Sequence, residues 1–356
     1  MQAYIYAMCA ISPQNTHEGA FFGNEAEQDA VRALKCIEPT YSKIISPLSL
    51  RRLSRIQKMG LASALLCVQK LEGINVDAII TGSAYCCEND MEQFCRSIYD
   101  SGEQDLSPIS FIKTTNSSIA STIATQLNFS GYCQTYCNRD FSFSNALIDA
   151  MLLLSDGDAH CVLVGGIDEY TDDLFYRLSL LNYWRSVATE PHLLIKNKAR
   201  GTIAGEGACF FALGAHYSDK AIAKILAVNN IKAQLTDNEV FLEIVDFLNA
   251  NQKQIADLDV CLFGCNGDIQ TDAFYDAVVQ YIPLGIGIAY YKHLCGEYYT
   301  ADSFALWIAA NIVQTQSLPQ VLVGRKPSTN SYNNILIYNY SPTNNGHTMM
   351  LISKEV

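Results

Sequence analysis

The chain has 356 residues, 49% hydrophobic and 17% charged, so it can bury a large core and is not a disordered segment. Its formal net charge of −12 argues against nucleic acid as a partner, because phosphate backbones demand a basic face. The longest apolar stretches, such as Phe304 to Val313, fall far short of the roughly 20 residues a membrane helix needs. The N-terminus lacks the basic-then-apolar layout of a signal peptide, and a cytoplasmic protein with no membrane span is expected.

In chain order, Ala3 to Ala10 reads as a short apolar strand, followed by Ile11-Ser12-Pro13. A long amphipathic helix is predicted from about Leu50 to Leu71, with Arg51, Arg52, Arg55 and Lys58 near its start. Those cations are open to two readings, a solvated helix face or a docking patch for an acidic protein. Val76 to Gly82 is a buried strand ending at glycine. Tyr132 to Cys137 is a strand that turns into an apolar helix, Phe141 to Leu154, with Asp140 at the junction. Val162-Leu163-Val164 runs into Gly165-Gly166, and Gly205-Glu206-Gly207 leads into the strand Ala208 to Leu213.

A polar, turn-like segment, His216 to Lys220, then precedes a second apolar strand, Ala223 to Val228. A helix from about Asn238 to Asn251 leads into the buried strand Leu258 to Phe263, again closed by a glycine, Gly264. Helix, buried strand and terminal glycine thus recur in the same order. Two halves built on one plan are expected, 1–214 and 215–356, with 169–200 as a cap or insert. Alternating helices and continuously apolar strands imply sheets covered on both faces, hence a layered α/β protein.

Thirteen cysteines, odd in number and mostly inside apolar runs such as those around Cys161, Cys209 and Cys261, are expected to be reduced core residues. Neither Cys133 with Cys137 nor Cys86-Cys87 with Cys95 has the paired spacing of a zinc site, so no metal and no other cofactor is expected. His160, His293 and His347 have no cysteine or serine that a motif pairs with them, and read as structural residues.

From Ser107-Pro108 onward the chain resembles the β-ketoacyl synthases of the thiolase superfamily. Leu127 to Gly131 is similar to the step before the family's nucleophile strand, Gly157-Asp158-Ala159 with Val162 to Gly166 to the strand after the nucleophile helix, and Gly205-Glu206-Gly207 to its glycine-glutamate-glycine strand. The resemblance implies the thiolase fold, two similar halves forming an α-β-α-β-α stack. In the family a cysteine holds the acyl chain as a thioester, and two histidines bind the malonyl thioester. Counted from Gly131 or from Asp158, the cysteine's address is Asp140. The first histidine's place reads Phe263-Gly264-Cys265. The second ends a motif that here keeps Lys292 and Gly296 but closes on Glu297. The family's glycine-rich oxyanion turn is replaced by Asn339 to Asn345, which includes Pro342 and so lacks one backbone donor.

A thiolate at a helix N-terminus is a good nucleophile, whereas the same field makes a carboxylate less reactive. Asp140 reads either as a helix N-cap, accepting from the backbone of Ser142 or Phe143, or as a polar group near a partner's substrate. Cys137, three residues back, reads as a buried strand residue facing the other way.

The resemblance therefore implies a non-catalytic subunit of the chain-length-factor kind. It would pair across Tyr132 to Cys137 with an active ketosynthase that condenses acyl and malonyl groups on acyl carrier protein. Ser110, Phe111, Ile112, Thr114 and Thr115, with Tyr132, Gln134 and Tyr136, are the expected tunnel and interface residues. Arg51, Arg52, Arg55 and Lys58 would face the carrier. The shortness of the chain and its altered C-terminal turn look like the partner subunits of aryl-polyene pigment clusters. Two alternatives stand beside this: a self-sufficient hydrolase or acyltransferase built on Asp140, Glu297 and Lys292, and a homodimeric acyl-binding protein.

Overall fold

The computed structural model describes residues 1–18 and 29–354. In chain order the first half contains β1 (Ala3–Ile11), α1 (Pro47–Leu50), α2 (Arg55–Val68), β2 (Ala78–Gly82), α3 (Glu88–Ser101), α4 (Pro108–Lys113), α5 (Ser118–Gln126), β3 (Tyr132–Tyr136), α6 (Ser142–Asp156), β4 (Cys161–Asp168), α7 (Asp172–Leu180) and β5 (Gly207–Gly214). The second contains β6 (Ala223–Lys232), α8 (Asp237–Ala250), β7 (Val260–Phe263), α9 (Ile269–Val279), β8 (Gly287–Tyr290), α10 (Lys292–Cys295), α11 (Ala301–Thr315), β9 (Val323–Arg325), β10 (Asn334–Ser341) and β11 (Gly346–Ser353).

The strands join in the order β3-β2-β4-β5-β1-β6-β11-β10-β7-β8-β9. Up to β1 the ladder is parallel from β3 to β4 and antiparallel from there on. Read from β8 inward, β8-β7-β10-β11-β6 repeats both the order and the orientations. The duplicated plan inferred from helix, strand and glycine is thus present strand by strand. The two half-sheets meet where Ala3 to Ile5 of β1 run against Ala223 to Ile225 of β6.

Three apolar clusters give the layers. α6 and α11 are sandwiched between the half-sheets, with Phe143, Leu147, Met151, Phe304, Ile308 and Ile312 fully buried among inward-facing strand residues. α2 and α5 cover the outer face of the first half-sheet, and α8 and α9 that of the second. The result is the α-β-α-β-α stack. From Phe304 to Ala310 α11 is apolar and buried on every side, as expected of a helix with sheets on both sides. Among the described residues no helix is long and apolar enough to cross a membrane.

One predicted element is divided. The helix expected from Leu50 to Leu71 breaks after α1, because Ser54 begins a new helix through a capping box in which the Gln57 side chain accepts from the Ser54 backbone at 2.9 Å. Arg51 and Arg52 consequently sit in an exposed turn, while Arg55 and Lys58 lie on α2.

Candidate active-site cleft

The site lies where α6 and α11 point their N-termini toward the loops that end the strands. β3 finishes at Tyr136, and the chain turns through Arg139, which takes a left-handed backbone (φ 49°), into Asp140 and then α6. The Asn138 N–H donates to Ser142 Oγ at 2.8 Å, so a serine inside the helix fastens the turn. Asp140 is buried but does not cap α6; Phe141 occupies the N-cap position, with no side-chain cap bond. Asp140 instead accepts a hydrogen bond from the Asn344 side chain, in the turn between β10 and β11. The N-cap expectation is thereby corrected. A residue 204 positions away in sequence had outcompeted the local helix donors for the carboxylate.

Glu297 follows α10 and is equally committed. Lys292 Nζ donates to both of its carboxylate oxygens at 2.8 Å, and Asn266 Nδ2 donates to one of them at 2.6 Å. Lys292, Glu297 and Asn266 are all buried, so this is a desolvated, fully partnered ion pair. Asn266 is itself held: its backbone N–H donates to Asp272 at 2.9 Å, and its side-chain oxygen accepts from the Asp268 N–H. Burial pushes the Asp272 carboxyl up to about 6 against the pull of the Asn266 and Gly267 backbone N–H donors.

Phe263, assigned from sequence to the first histidine's place, is not in the cleft. It is fully buried in β7, with its ring 5.9 Å from those of Tyr275 and Tyr338. The residue beside Glu297 is Asn266, three positions on. Its signal was the Asn266-Gly267 pair just before the helix-capping Asp268; Gly267 has φ 80°, and a Cβ there would fall 2.5 Å from the Leu194 carbonyl oxygen.

Asp140 and Glu297 do not hydrogen-bond to each other among the described residues; each has its own donors. His293 is buried with Nε2 on the Val321 carbonyl at 3.1 Å, and burial lowers its pKa to about 4. His347 receives the Tyr338 hydroxyl at Nδ1 (2.8 Å) and donates from Nε2 to the Ala233 carbonyl. His160 is exposed, its backbone N–H bonded to Asp77. None of the three is bonded to Asp140 or Glu297.

The glycine-glutamate-glycine strand serves the site as scaffold. Gly205 lies against Gly296, where a Cβ would come within 2.0 Å of the Cys295 carbonyl oxygen, and Gly205 N–H donates to the Glu297 carbonyl at 3.0 Å. Glu206, fully buried, takes two hydrogen bonds of 2.6 Å from the Arg55 guanidinium and one each from the Cys36 and Tyr170 backbones. Arg55 also reaches Glu38 at 2.6 Å. It is thereby removed from the proposed cationic docking face, of which Arg51 and Arg52 stay exposed and Lys58 is half-buried.

Asp168, ending β4, accepts from Ser83, from the Ala84 N–H, and from both the backbone and the hydroxyl of Thr300, tying the β2 loop to the start of α11. Burial outweighs these donors and raises its carboxyl to about 6. Glu169, with one backbone donor at 3.1 Å, is raised by burial to about 8.

α7 and the segment after it roof an aromatic-walled cavity beside Glu297, with Tyr85, Phe175, Tyr183, Trp184 and Tyr299 in its walls. It encloses about 40 Å³, room for roughly three waters at the 10–15 Å³ each needs, and too little for a growing acyl chain. An open cleft of about 460 Å³ runs down to Asn266 between Arg200, Phe274 and Tyr340.

The expected tunnel and interface residues lie outside this cavity. Phe111 (56% exposed) and Ile112 (62%) project outward from α4, beside exposed Ile109, and Phe111 touches Phe94 at 5.7 Å. Ser110 and Thr115 are exposed, and Thr114 is buried. Among the described residues β3 is the end strand of the sheet, with Tyr132, Cys133 and Gln134 exposed and Tyr136 half-buried; the Tyr132 hydroxyl donates to Asp149 at 3.0 Å. Bulk at Phe111 thus cannot narrow a tunnel within this chain; it can act only on what packs against it. Among the described residues no cluster of three or more metal-ligating side chains forms.

Residues 19–216 match the family model described as the N-terminal domain of β-ketoacyl synthase. A search of curated proteins finds no match. Solved structures share the fold across nearly the whole length. The ishigamide ketosynthase/chain length factor is 14% identical with a TM-score of 0.79, covering 100% of this chain and 99% of that one. A β-ketoacyl synthase from Burkholderia phymatum STM815 is 13% identical with a TM-score of 0.80, covering 99% of each. The ketosynthase ApeO in complex with its chain length factor ApeC, from Xenorhabdus doucetiae, is 15% identical with a TM-score of 0.75, covering 99% of this chain and 97% of that one.

Proposed function

The chain belongs to the β-ketoacyl synthase family, and we propose that within it the protein is a non-catalytic partner subunit, the counterpart of a chain length factor. One observation carries this reading. At the address of the family's nucleophile stands Asp140, a carboxylate with no sulfur to form a thioester and with Asn344 bonded across it. The place of the second histidine supports it: Glu297 is locked to Lys292 and Asn266 and has no open proton-transfer role.

Under this reading an active, cysteine-bearing ketosynthase binds along the open edge of β3. It condenses acyl and malonyl groups carried on acyl carrier protein, and this subunit supplies scaffold and one wall of the acyl tunnel. Outward-facing Phe111 and Ile112 would then enter the partner's pocket rather than block one of their own. The Ape pair is a ketosynthase with its chain length factor, and an aryl-polyene-type pathway is the narrower assignment we propose. Exposed Arg51 and Arg52, without Arg55, would be the remaining cations for the carrier.

Co-expression with a cysteine-bearing ketosynthase from the same genome tests the proposal. The two chains should purify as a one-to-one complex that turns over malonyl carrier, with neither activity nor acylation in the isolated subunit. Turnover by the isolated chain, abolished by Asp140→Asn, would replace this reading with a self-sufficient enzyme. A stable homodimer that binds acyl chains and ignores the ketosynthase would replace it with an acyl-binding protein.

A further inference from the structure

Cys137 was expected to be a buried strand residue; it lies exposed just past the end of β3, and its sulfur is 3.1 Å from that of Cys86. The contact follows from the sheet. β2 and β3 are parallel neighbours whose last paired residues are Gly82 and Tyr136, so the segments that follow emerge side by side. The Ser83 N–H donates to the Tyr136 carbonyl at 3.0 Å, and Ser83 Oγ accepts from the Cys86 N–H at 2.9 Å. Cys86 is held in a left-handed backbone (φ 53°) that turns its side chain back toward β3. A disulfide needs about 2.05 Å between sulfurs, so closure asks for roughly 1 Å of movement. The separation is too short for a metal held between two thiolates at about 2.3 Å each on opposite sides.

We propose that Cys86 and Cys137 are a reversible thiol–disulfide pair, oxidised by a hydroperoxide. The exposed sulfur, Cys137, reacts first: its thiolate attacks one peroxide oxygen, the O–O bond breaks, and hydroxide leaves to be protonated as water. The Cys86 sulfur then attacks the resulting sulfenic acid. The S–O bond breaks, hydroxide departs with the Cys86 proton as a second water, and the S–S bond forms. Two thiols are oxidised and one peroxide is reduced to two waters.

The division of roles agrees with the surroundings. The hydrogen bond from Cys86 favours the Cys137 thiolate, against its partial burial and the nearby Asp168 carboxylate; Cys86 itself is raised by that same bond, by burial and by Asp168. Cys86 lines the aromatic cavity, and Cys137 lies three residues before Asp140. The disulfide would fasten the cavity wall to the Asp140 turn, and this holds whichever function the cleft serves.

The purified full-length chain, treated with one equivalent of hydrogen peroxide, should lose two of its thirteen titratable thiols. Peptide mapping should find one cross-link, Cys86 to Cys137, reversed by dithiothreitol. Cys86→Ser should abolish the cross-link and leave a dimedone-reactive sulfenic acid at Cys137, and Cys137→Ser should leave Cys86 reduced. Thirteen free thiols after treatment, a cross-link joining other cysteines, or loss of two thiols persisting in Cys86→Ser would overturn the proposal.

Discussion

β3 and β8 hold the same place in the duplicated plan, at the outer end of each half-sheet, and differ in what covers them. β8 is closed: β9 runs antiparallel along it, and Arg325 clamps the junction through the carbonyls of Ile282, Pro283 and Ile286. Among the described residues β3 has no strand beyond it, and it exposes Tyr132, Cys133 and Gln134. An uncovered strand edge can pair with another chain. One half-sheet thus ends on an open edge and the other on a covered one.

The largest expected effect breaks the open edge. Replacing Tyr132 by Glu puts a charge on β3 next to Asp149, and should weaken pairing with the ketosynthase by about 100-fold or more, since an unpaired charge desolvated in an interface costs several kcal/mol. Size-exclusion chromatography of the co-expressed pair reads this directly, and an intact one-to-one complex would place the interface elsewhere.

Next come matched truncations of the two edges. Ile288 of β8 faces its sheet partner Cys261 as Cys133 of β3 faces Ile79. Ile288 is buried, and Ile288→Ala should cost about 2–4 kcal/mol in urea unfolding. Cys133→Ala, on the exposed edge, should stay within about 0.5 kcal/mol. Equal losses would mean that β3 is as closed as β8.

A third test uses pH in the loop that follows β4. Burial raises Glu169 to about 8, so its neutral form is the one the fold accommodates. A raised carboxyl contributes stability that is present below the unfolded pKa and lost as pH rises through the folded one. His293, lowered to about 4, has the opposite sign and acts only below about 6.5, so above that pH the fall comes from raised carboxyls, Glu169 and the fully buried Asp302 among them. The Glu169 share of that fall should be about 2 kcal/mol between pH 6.5 and 8, read as the difference between the native curve and that of Glu169→Gln. A slope unchanged in the variant would refute the assignment.

The smallest effect on stability, and the most informative for the tunnel, is that of Phe111→Ala. The ring is more than half exposed, so the isolated subunit should lose less than about 1 kcal/mol. In the complex, the partner's products should lengthen as bulk leaves the pocket, read by mass spectrometry. An unshifted product distribution would exclude Phe111 from the tunnel.

Much of the fold was legible because it rests on local periodicity repeated twice: the strands ending at Gly82 and near Gly264, and the helices before them, are marked by runs of apolar residues and terminal glycines. The junction at Asp140 was legible for the same reason: strand, turn and apolar helix follow one another there in sequence and in the structure. The partners of the site were not. Asn344 and Asp140 meet only when both half-sheets are assembled, and Arg55 and Glu206, far apart in sequence, only when α2 has packed onto the first half-sheet. The edge strand β9 has only three residues, too few for an alternating pattern. Asn266 was overlooked because β7 ends before the loop that presents it, and counting along the strand stopped at Phe263.

Acylation of the isolated subunit bears most directly on the loss of the thiol. Incubated with radiolabelled acyl carrier protein, the purified chain alone should retain no covalent label after denaturing electrophoresis, while the complex should carry label on the ketosynthase. Label retained on this chain in the absence of the partner would contradict the account.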